Sequence, residues 1–453
     1  MKFFFSLKYL GWDKSLKLLS IIQKRLFKSI LVGDLKTALK LQKLILQANF
    51  SRLISIRYVM QICINRRLPG IDGKNSLSFV ERFELNENLK SNISKWFPQA
   101  LNMVSLLKND GSVKIVRVST ISDRSWQYLI KLALEPIHEA LFSPRNFGYR
   151  SNFNIFDLQN CLALNLRSDS IGHQKRVLIL NIEKCLLNYS LNFLIEKIVS
   201  PRSIKMCLNR LILSGFTLEF PENPIALSNL SALLANILLD GIESIHDSIH
   251  FGNNILYFLK PLENERYLLQ CVEKYLVNRG LVFTNSSFSL RSCFEGFDFL
   301  SWNFKVFNNK ILRIIPSYLN YQQFLFRVKR IINNSNYGSN IKSNKLYPII
   351  KEWRIYHRFS YVGSARLSLY FIKKRAFKVF SKEAKQDFYS IKRLLDKCFY
   401  ILSDMDKNES LISLYFNHFN NSTLLYKKYL NESFNCKARL YFCIHCGMNT
   451  NFN

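Results

Sequence analysis

The sequence predicts an α+β chain in which a few strands form the centre, helices surround them, and the C-terminal third is helical. Apolar residues recur at three- and four-residue spacings over long stretches, which is typical of helices. Short apolar runs at residues 176–182 and 255–259 have the length of buried strands. Only 15 glycines and 10 prolines occur in 453 residues. Since these residues mark turns and loops, their scarcity favours an ordered, mainly helical chain.

The first elements follow from periodicity and turn chemistry. Residues 15–63 are predicted to be helical, with Asp34 as the N-cap of one helix. Residues 69–73 (Pro-Gly-Ile-Asp-Gly) are predicted to form a turn. Asn-Asp-Gly at 109–111 is predicted to join two strands of a hairpin, and residues 126–142 to form a helix. The basic N-terminus admits two interpretations, a transit peptide or a first helix, and we favour the helix.

The later elements are helices and strands up to about Ile315 and only helices after it. Residues 228–246 and 265–280 are predicted helices, the second of them closed by Gly280. Residues 283–290 and 297–307 are predicted to be paired strands with aromatic faces. Beyond Ile315 the pattern is helical and more basic, and residues 333–340 (NNSNYGSN) are the best candidate for a loop or linker.

Charge limits the class of partner. The chain has 64 Lys and Arg against 32 Asp and Glu, a net charge of +32. Such an excess calls for a polyanion, either nucleic acid or an anionic membrane surface. No uninterrupted apolar run reaches the roughly 18 residues that a membrane span requires. We therefore expect a nucleic-acid partner and no membrane.

Cysteine usage and codon bias concern the compartment. Ten cysteines are present without the regular spacing of a disulfide framework, so a reducing compartment is expected. Phe, Ile, Lys and Asn are abundant, and all are encoded by A/T-rich codons, a bias typical of organelle genomes. The codon bias favours an organellar protein.

Two segments carry a family resemblance. Residues 25–73 and 116–153 are similar to the N-terminal extension and the fingers of group II intron-encoded reverse transcriptases and maturases. The degenerate maturase-like proteins of euglenoid plastids look closest. Matching positions in the first segment are Leu41, Gln42, Arg57, Val59, Asn65, Gly70, Asp72 and Gly73. Matching positions in the second are Arg117, Asp123, Arg124, Gln127, Leu134, Glu135, Pro136, Glu139, Phe142, Phe147, Gly148, Tyr149 and Arg150. The likeness continues more weakly to about residue 390.

The resemblance implies an organisation. It implies a helical RNA-binding extension at residues 1–74 and degenerate fingers and palm of a right-hand-like polymerase at 75–305. It further implies an all-α thumb and maturase domain X at 306–400, followed by a basic tail at 401–453.

The same resemblance implies that the polymerase chemistry is lost. Nucleotidyl transfer needs two metal ions, and magnesium requires carboxylate ligands. The first metal-binding aspartate of the family falls on Asn181. The family's Tyr-x-Asp-Asp turn falls on Tyr257, with Leu259 and Lys260 at the two aspartates. Glu183, two residues beyond Asn181, is a weak substitute on the assumption that the strand continues. We therefore expect no catalytic residue, no metal and no other cofactor.

Basic and aromatic residues in three regions are candidates for RNA contact, although each also fits a solvated or structural role. The N-terminal candidates are Arg52, Arg57, Arg66, Arg67 and Lys74. The fingers candidates are Arg124 and Arg150. The thumb and domain X candidates are Arg354, Tyr356, Arg358, Lys373, Lys374, Arg375, Lys378 and Lys382.

One cysteine cluster near the C-terminus raises the question of zinc. Cys436, Cys443, His445 and Cys446 include a single Cys-x-x-Cys, whereas structural zinc sites usually combine two such pairs. The spacing of Cys436 and His445 is poor for completing a site. We interpret the cluster as a tail without a metal.

Three functions remain after these observations. The first is an intron maturase that binds organellar group II-like (group II or III) intron RNA and assists its splicing, with other splicing factors as further partners. A plastid is favoured over a mitochondrion by the family likeness. The alternatives are a nonspecific structured-RNA-binding remnant and a residual polymerase that uses Asn181 and Glu183.

Overall fold

The computed structural model describes residues 12–63, 68–90, 93–107, 113–151, 153–166, 172–221, 229–282, 288–307, 311–383 and 388–399. Within these residues the helices are α1 (Trp12–Leu31), α2 (Leu35–Gln47), α3 (Asn49–Arg57), α4 (Phe79–Lys90), α5 (Ile121–Leu141), α6 (Ile155–Asn165), α7 (Leu191–Lys197), α8 (Arg202–Leu213), α9 (Leu230–Leu239), α10 (Glu265–Val277), α11 (Tyr318–Ile332), α12 (Ser339–Tyr356), α13 (Gly363–Glu383) and α14 (Phe388–Phe399). The strands are β1 (Asn102–Leu107), β2 (Val113–Val118), β3 (Arg176–Asn181), β4 (Ser248–Phe251), β5 (Asn254–Leu259), β6 (Phe288–Ser292), β7 (Phe297–Phe299), β8 (Trp302–Val306) and β9 (Leu312–Pro316). This mixture confirms the predicted α+β class.

The N-terminal helices pack on α5. The predicted cap is confirmed, because Asp34 Oδ1 accepts a hydrogen bond from Thr37 N (3.0 Å) at the start of α2. Gln42 on α2 is fully buried, and its Nε2 donates to the carbonyls of Ala133 (3.2 Å) and Val199 (3.1 Å). Buried amides need such partners. These bonds fix α2 against α5 and against the segment that contains Val199.

Two local predictions in the next segment are confirmed. Gly73 N donates to Gly70 O (3.1 Å), which closes the turn at 69–73. Strands β1 and β2 pair antiparallel, with Asn102 opposite Val118 and Leu107 opposite Val113. The hairpin turn itself, at 109–111, lies outside the described residues.

A four-stranded antiparallel sheet in the order β4-β5-β3-β6 lies at the centre. The apolar runs predicted as strands form β3 and β5, and Leu178 and Tyr257 face each other in the register with no exposure. The predicted helix at 228–246 is too long. It ends as α9 at Leu239, and the chain then makes one 3-10 turn (Ile242–Ser244) before β4 begins.

A second, three-stranded sheet has the order β7-β8-β9. The predicted pairing of residues 283–290 with 297–307 is wrong, because β6 pairs with β3 whereas β7 pairs with β8. Leu300 and Ser301 connect β7 to β8 with positive φ angles of 48° and 69°. Such a two-residue connection suits the twist of the strands although neither residue is glycine.

The C-terminal helices α11–α14 share a core that includes Phe324, Trp353 and Phe380. The predicted loop at 333–340 is confirmed, since α11 ends at Ile332 and α12 starts at Ser339. Lys342 just beyond this loop is completely buried, and its Nζ donates to Ile332 O (2.9 Å). This bond ties the start of α12 to the end of α11.

Candidate functional site

Three asparagines meet at one end of the central sheet. Asn181 ends β3, and the register places it opposite Asn254, the first residue of β5. Asn181 Nδ2 donates to Asn254 Oδ1 (3.2 Å), and Ile182 N donates to the carbonyl of Asn253 (2.9 Å). The turn between β4 and β5 thus lies beside the end of β3. We refer to Asn181, Asn253 and Asn254 as the amide cluster.

The expected positions of Leu259 and Lys260 are wrong. The register pairs Leu259 with Arg176, at the opposite end of β3 from Asn181. Five residues of strand separate these ends by about 17 Å. Leu259 is buried and Lys260 is exposed after the strand. Neither side chain can occupy a metal site that includes Asn181.

The turn that does face Asn181 reads Phe251-Gly252-Asn253-Asn254. It has an aromatic residue, a spacer and two adjacent residues, the same spacing as the Tyr-x-Asp-Asp turn. The sequence carried this signal in its Asn-Asn pair. It was missed because Tyr257 supplied a tyrosine, whereas the turn has phenylalanine. Asparagine keeps an oxygen but lacks the negative charge that magnesium ligands supply.

The suggestion that Glu183 continues the strand face is also wrong. Strand β3 ends at Asn181, and Glu183 lies in the turn that follows. Its backbone N–H donates to Asn181 Oδ1 (3.0 Å), and its side chain is exposed. The alternation of side chains along a strand therefore does not apply to Glu183.

Metal sites and membrane spans are absent from the residues that the structure describes. Among them, no group of three or more His, Cys, Asp or Glu side chains is placed to hold a metal ion. None of the helices in this part of the chain has the length and apolar character needed to cross a membrane. Cys436, Cys443, His445 and Cys446 lie outside the described residues.

A buried histidine, His250, contacts the turn between β4 and β5. His250 Nδ1 lies 2.5 Å from Glu243 Oε1, and Nε2 lies 2.8 Å from the carbonyl oxygen of Gly252. Both ring nitrogens of His250 therefore have a partner inside the protein. Burial raises the pKa of Glu243, whereas the hydrogen bond and electrostatic interaction with His250 and backbone hydrogen bonds lower it, and the net pKa lies below its usual value. The contact from His250 Nε2 fixes the carbonyl of Gly252.

The backbone of Gly148 packs closely against the same turn. Gly148 is buried against the turn, and a Cβ at this position would lie 2.3 Å from Gly252 N. Tyr149 follows with its ring stacked on Phe220 (5.5 Å between centroids). Asn236 Nδ2 donates to Gly148 O (2.8 Å), which fixes the segment from the helix α9 side. Only glycine allows this approach.

Gly148→Ala is expected to lower the free energy of unfolding by about 1–3 kcal/mol. The added methyl group would clash with the backbone of Gly252, which can move only if the turn shifts. Urea-induced unfolding followed by circular dichroism measures this change. Gly338→Ala is the matched control, since a Cβ at Gly338 meets nothing within 4 Å. Equal stability of the two variants would contradict the contact.

The N-terminal RNA candidates fall into three groups. Arg52 is buried, and its Nη1 and Nη2 donate to Asn86 O (3.3 Å) and Asn49 Oδ1 (3.4 Å). The expectation of a phosphate contact is corrected here, because these donors are used inside the protein. Arg57 lies 4.4 Å from the Trp12 ring, and Lys74 pairs with Glu81 (2.6 Å), both at accessible positions. Arg66 and Arg67 lie outside the described residues.

The two fingers candidates, Arg124 and Arg150, have hydrogen-bond partners within the protein. Arg150 is buried and donates to the Glu139 carboxylate from Nε and Nη2, and to the carbonyls of Ser143 and Asn146 from Nη1. The RNA contact expected of Arg150 is corrected to a purely structural role. Arg124 is partly exposed, and its Nη2 donates to Leu68 O (3.1 Å).

The candidates at the end of α12 divide in the same way. Tyr356 stacks on the fully buried Trp302 (4.8 Å), and its hydroxyl donates to Leu300 O. The expectation that Tyr356 stacks on RNA bases is corrected, because its ring contact and its hydroxyl hydrogen bond are both made within the protein. Arg354 is partly buried. Arg358 is partly exposed and lies over the rings of the buried Phe156 (4.2 Å) and the exposed Phe359 (4.5 Å).

Helix α13 presents the remaining cations. Lys373 Nζ pairs with Asp396 (2.5 Å), Arg375 donates to Asn333 Oδ1 (3.4 Å), and Lys374 lies 4.8 Å from the exposed Tyr370 ring. Lys378 and Lys382 are exposed and have no acidic partner among the described residues. The lysines follow one side of the helix at four-residue intervals.

Another basic surface was not among the predicted sites. Lys36, Lys40 and Lys43 are all exposed on α2, at spacings of four and three residues. That spacing places them on one helical face. The signal was present in the sequence, where it marked only the solvent side of a helix.

Comparison with known proteins places these features in a family. Residues 8–89 match the N-terminal domain of reverse transcriptase. Maturase-like protein 1 of Euglena gracilis is 46% identical over 444 residues, covering 96% of each chain. Maturase-like protein 1 of Euglena longa is 47% identical over 447 residues, covering 97% of each chain.

A solved structure gives a weaker match. Telomerase from Candida albicans, in complex with a fragment of telomeric RNA, has a TM-score of 0.29 and 11% identity. The match covers 75% of this chain and 65% of that one. The two Euglena proteins are far more similar to this chain. Their identity over almost the whole length shows that the chain belongs to the maturase-like family of degenerate reverse transcriptases.

Proposed function

We propose that the chain is an organellar intron maturase, which binds group II-like intron RNA and assists its folding and splicing without polymerising nucleotides. The observation that carries the proposal is the amide cluster. Neutral amides at the end of β3 and in the turn beside it support the proposal, because two-metal chemistry requires carboxylates. Intron RNA supplies its own metal-dependent chemistry, so the protein needs only a basic surface that matches the RNA. The net charge of +32 provides such a surface.

The proposal also assigns regions. Residues 1–74 form the RNA-binding extension, 75–305 the degenerate fingers and palm, 306–400 the thumb and domain X, and 401–453 a basic tail. The RNA interface consists of accessible cations on the extension, the fingers and the C-terminal helices. Its members are Lys36, Lys40, Lys43, Arg57, Lys74, Arg124, Arg354, Arg358, Lys373, Lys374, Arg375, Lys378 and Lys382. Arg66 and Arg67 complete the proposed extension surface.

Lys378→Gln/Lys382→Gln is expected to weaken RNA binding by about tenfold near 0.1 M salt, because two phosphate contacts are lost. The slope of log K against log salt should fall by about 1.4–1.8 in magnitude. Fluorescence anisotropy with intron RNA at several salt concentrations measures both quantities. Lys260→Gln/Lys274→Gln removes the same charge from exposed positions outside the interface. An equal loss in both double variants would mean that only net charge matters.

Crosslinking the protein to RNA in its organelle, followed by sequencing, tests the proposed function. We expect reads concentrated on one or a few introns, and the fraction that contains the protein should be plastid rather than mitochondrial. Reads spread over ribosomal and messenger RNA by abundance would favour a nonspecific RNA-binding remnant. Primer extension by the purified protein with magnesium or manganese should give no product. Synthesis that Glu183→Ala abolishes would establish a residual polymerase.

A further inference from the structure

We infer that the amide cluster is a metal-independent binding site for the ribose-phosphate of an RNA strand. The inference rests on the proposed function and names the ligand chemistry of one site within it. Only one hydrogen bond joins the cluster's side chains, from Asn181 Nδ2 to Asn254 Oδ1 (3.2 Å). Within the described residues, the Nδ2 groups of Asn253 and Asn254 donate to no protein acceptor. Asn253 Oδ1 is buried and accepts no hydrogen bond there.

These unused groups match RNA. A primary amide has two N–H donors and a carbonyl acceptor, whereas a carboxylate only accepts. Phosphate oxygens accept, and a ribose 2′-hydroxyl both donates and accepts. The amide donors therefore suit phosphate or ribose oxygens.

Charge leads to the same ligand. Carboxylates at these three positions would repel a phosphate unless a cation stood between them. Neutral amides remove that repulsion and make the cation unnecessary. Glu183 remains as an exposed carboxylate next to Asn181, joined to it through the Glu183 backbone N–H (3.0 Å). Its charge should oppose RNA at this site.

The site is also held in place before any ligand arrives. His250 fixes the carbonyl of Gly252, and Gly148 packs against the backbone of the same turn. Asn146 and Asn236 hold Gly148 through hydrogen bonds of 2.9 and 2.8 Å. Preorganisation reduces the entropy lost when a ligand binds. These contacts make the turn a rigid platform rather than a loop that must order itself.

The test uses the full chain, a labelled 20-nucleotide RNA and DNA of the same sequence, in buffer with EDTA. Asn254→Asp keeps the oxygen that accepts from Asn181 but exchanges an amide donor for a negative charge. We expect RNA to bind about fivefold more weakly, as one like-charge contact in water costs about that factor. The preference for RNA over DNA should also shrink. Asn192→Asp adds the same charge at an exposed position on α7 and should leave both quantities unchanged.

A second variant tests the opposite sign. Glu183→Gln removes the exposed carboxylate and should strengthen RNA binding by a few fold. The side chain is exposed, so the substitution should leave the fold intact. Circular dichroism melting checks that every variant is folded. RNA binding by the wild type with no response to either Asn254→Asp or Glu183→Gln overturns the site and leaves the proposed function standing. Absence of RNA binding by the wild type overturns both.

Discussion

Arg150→Met is expected to lower the free energy of unfolding by about 3–5 kcal/mol. The substitution leaves the Glu139 carboxylate, whose side chain is only 4% exposed, without its cation. Breaking one partner of a buried ion pair costs this much because the remaining charge is neither solvated nor paired. The carbonyls of Ser143 and Asn146 lose their donor at the same time. Urea-induced unfolding at pH 7 measures the loss.

Two further variants separate the buried charge from the lost contacts. Glu139→Met/Arg150→Met should be more stable than Arg150→Met alone, because no unpaired charge remains. Lys90→Met breaks the exposed pair with Glu87 (3.8 Å) and should change stability by no more than about 0.5 kcal/mol. If Arg150→Met cost no more than Lys90→Met, the structural role assigned to Arg150 would be wrong.

The sequence predicted the elements whose signal is local. Periodicity located α1, α2, α5 and α10, and a polar cap located the start of α2 at Asp34. Strand partners were harder, because residues far apart in the chain decide them. Strand β6 pairs with β3 at the edge of the central sheet, and nothing in its own five residues indicates that partner. The end of α9 was missed because the apolar pattern continues through the 3-10 turn into β4.

The candidate site shows the same limit. The place of Asn181 at the end of β3 was predictable, because a buried apolar run leads to it in the sequence. The turn that faces it could be identified only from the register, which places Asn254 rather than Leu259 opposite Asn181. Arginines gave the least reliable signal, since Arg52 and Arg150 turn inward to protein partners while Arg57 stays accessible. A basic residue in the sequence does not reveal whether its partner is RNA or protein.

Acidification from pH 7.5 to 5.5 is expected to lower the free energy of unfolding by about 3 kcal/mol through His138 and His357. Burial lowers the pKa of each from 6.5 to about 3, with Lys197 adding to the effect at His138. His138 Nε2 and His357 Nδ1 are buried and accept no hydrogen bond, so a proton on either would be an unsatisfied charge. The folded state therefore excludes both protons in this range.

The sign follows from the proton balance. In the unfolded chain each histidine titrates at pH 6.5, so at pH 5.5 that state has bound about one proton more at each site than the folded state. Stability contributed by the two neutral histidines is complete above pH 6.5 and is lost as the pH falls towards 3. Each contributes about 1.4 kcal/mol between pH 7.5 and 5.5. Urea-induced unfolding at the two pH values measures the sum.

His138→Phe identifies the source of the loss, because phenylalanine keeps a ring in the apolar site but cannot take up a proton. We expect this variant to lose only about half as much stability on acidification as the wild type. Phe142→Leu is the control, since it alters the ring next to His138 (6.0 Å between centroids) but removes no titratable group, and should leave the pH dependence unchanged. An unaltered pH dependence in His138→Phe would mean that the folded state accommodates the proton on His138, and its burial would then have no consequence for stability in acid.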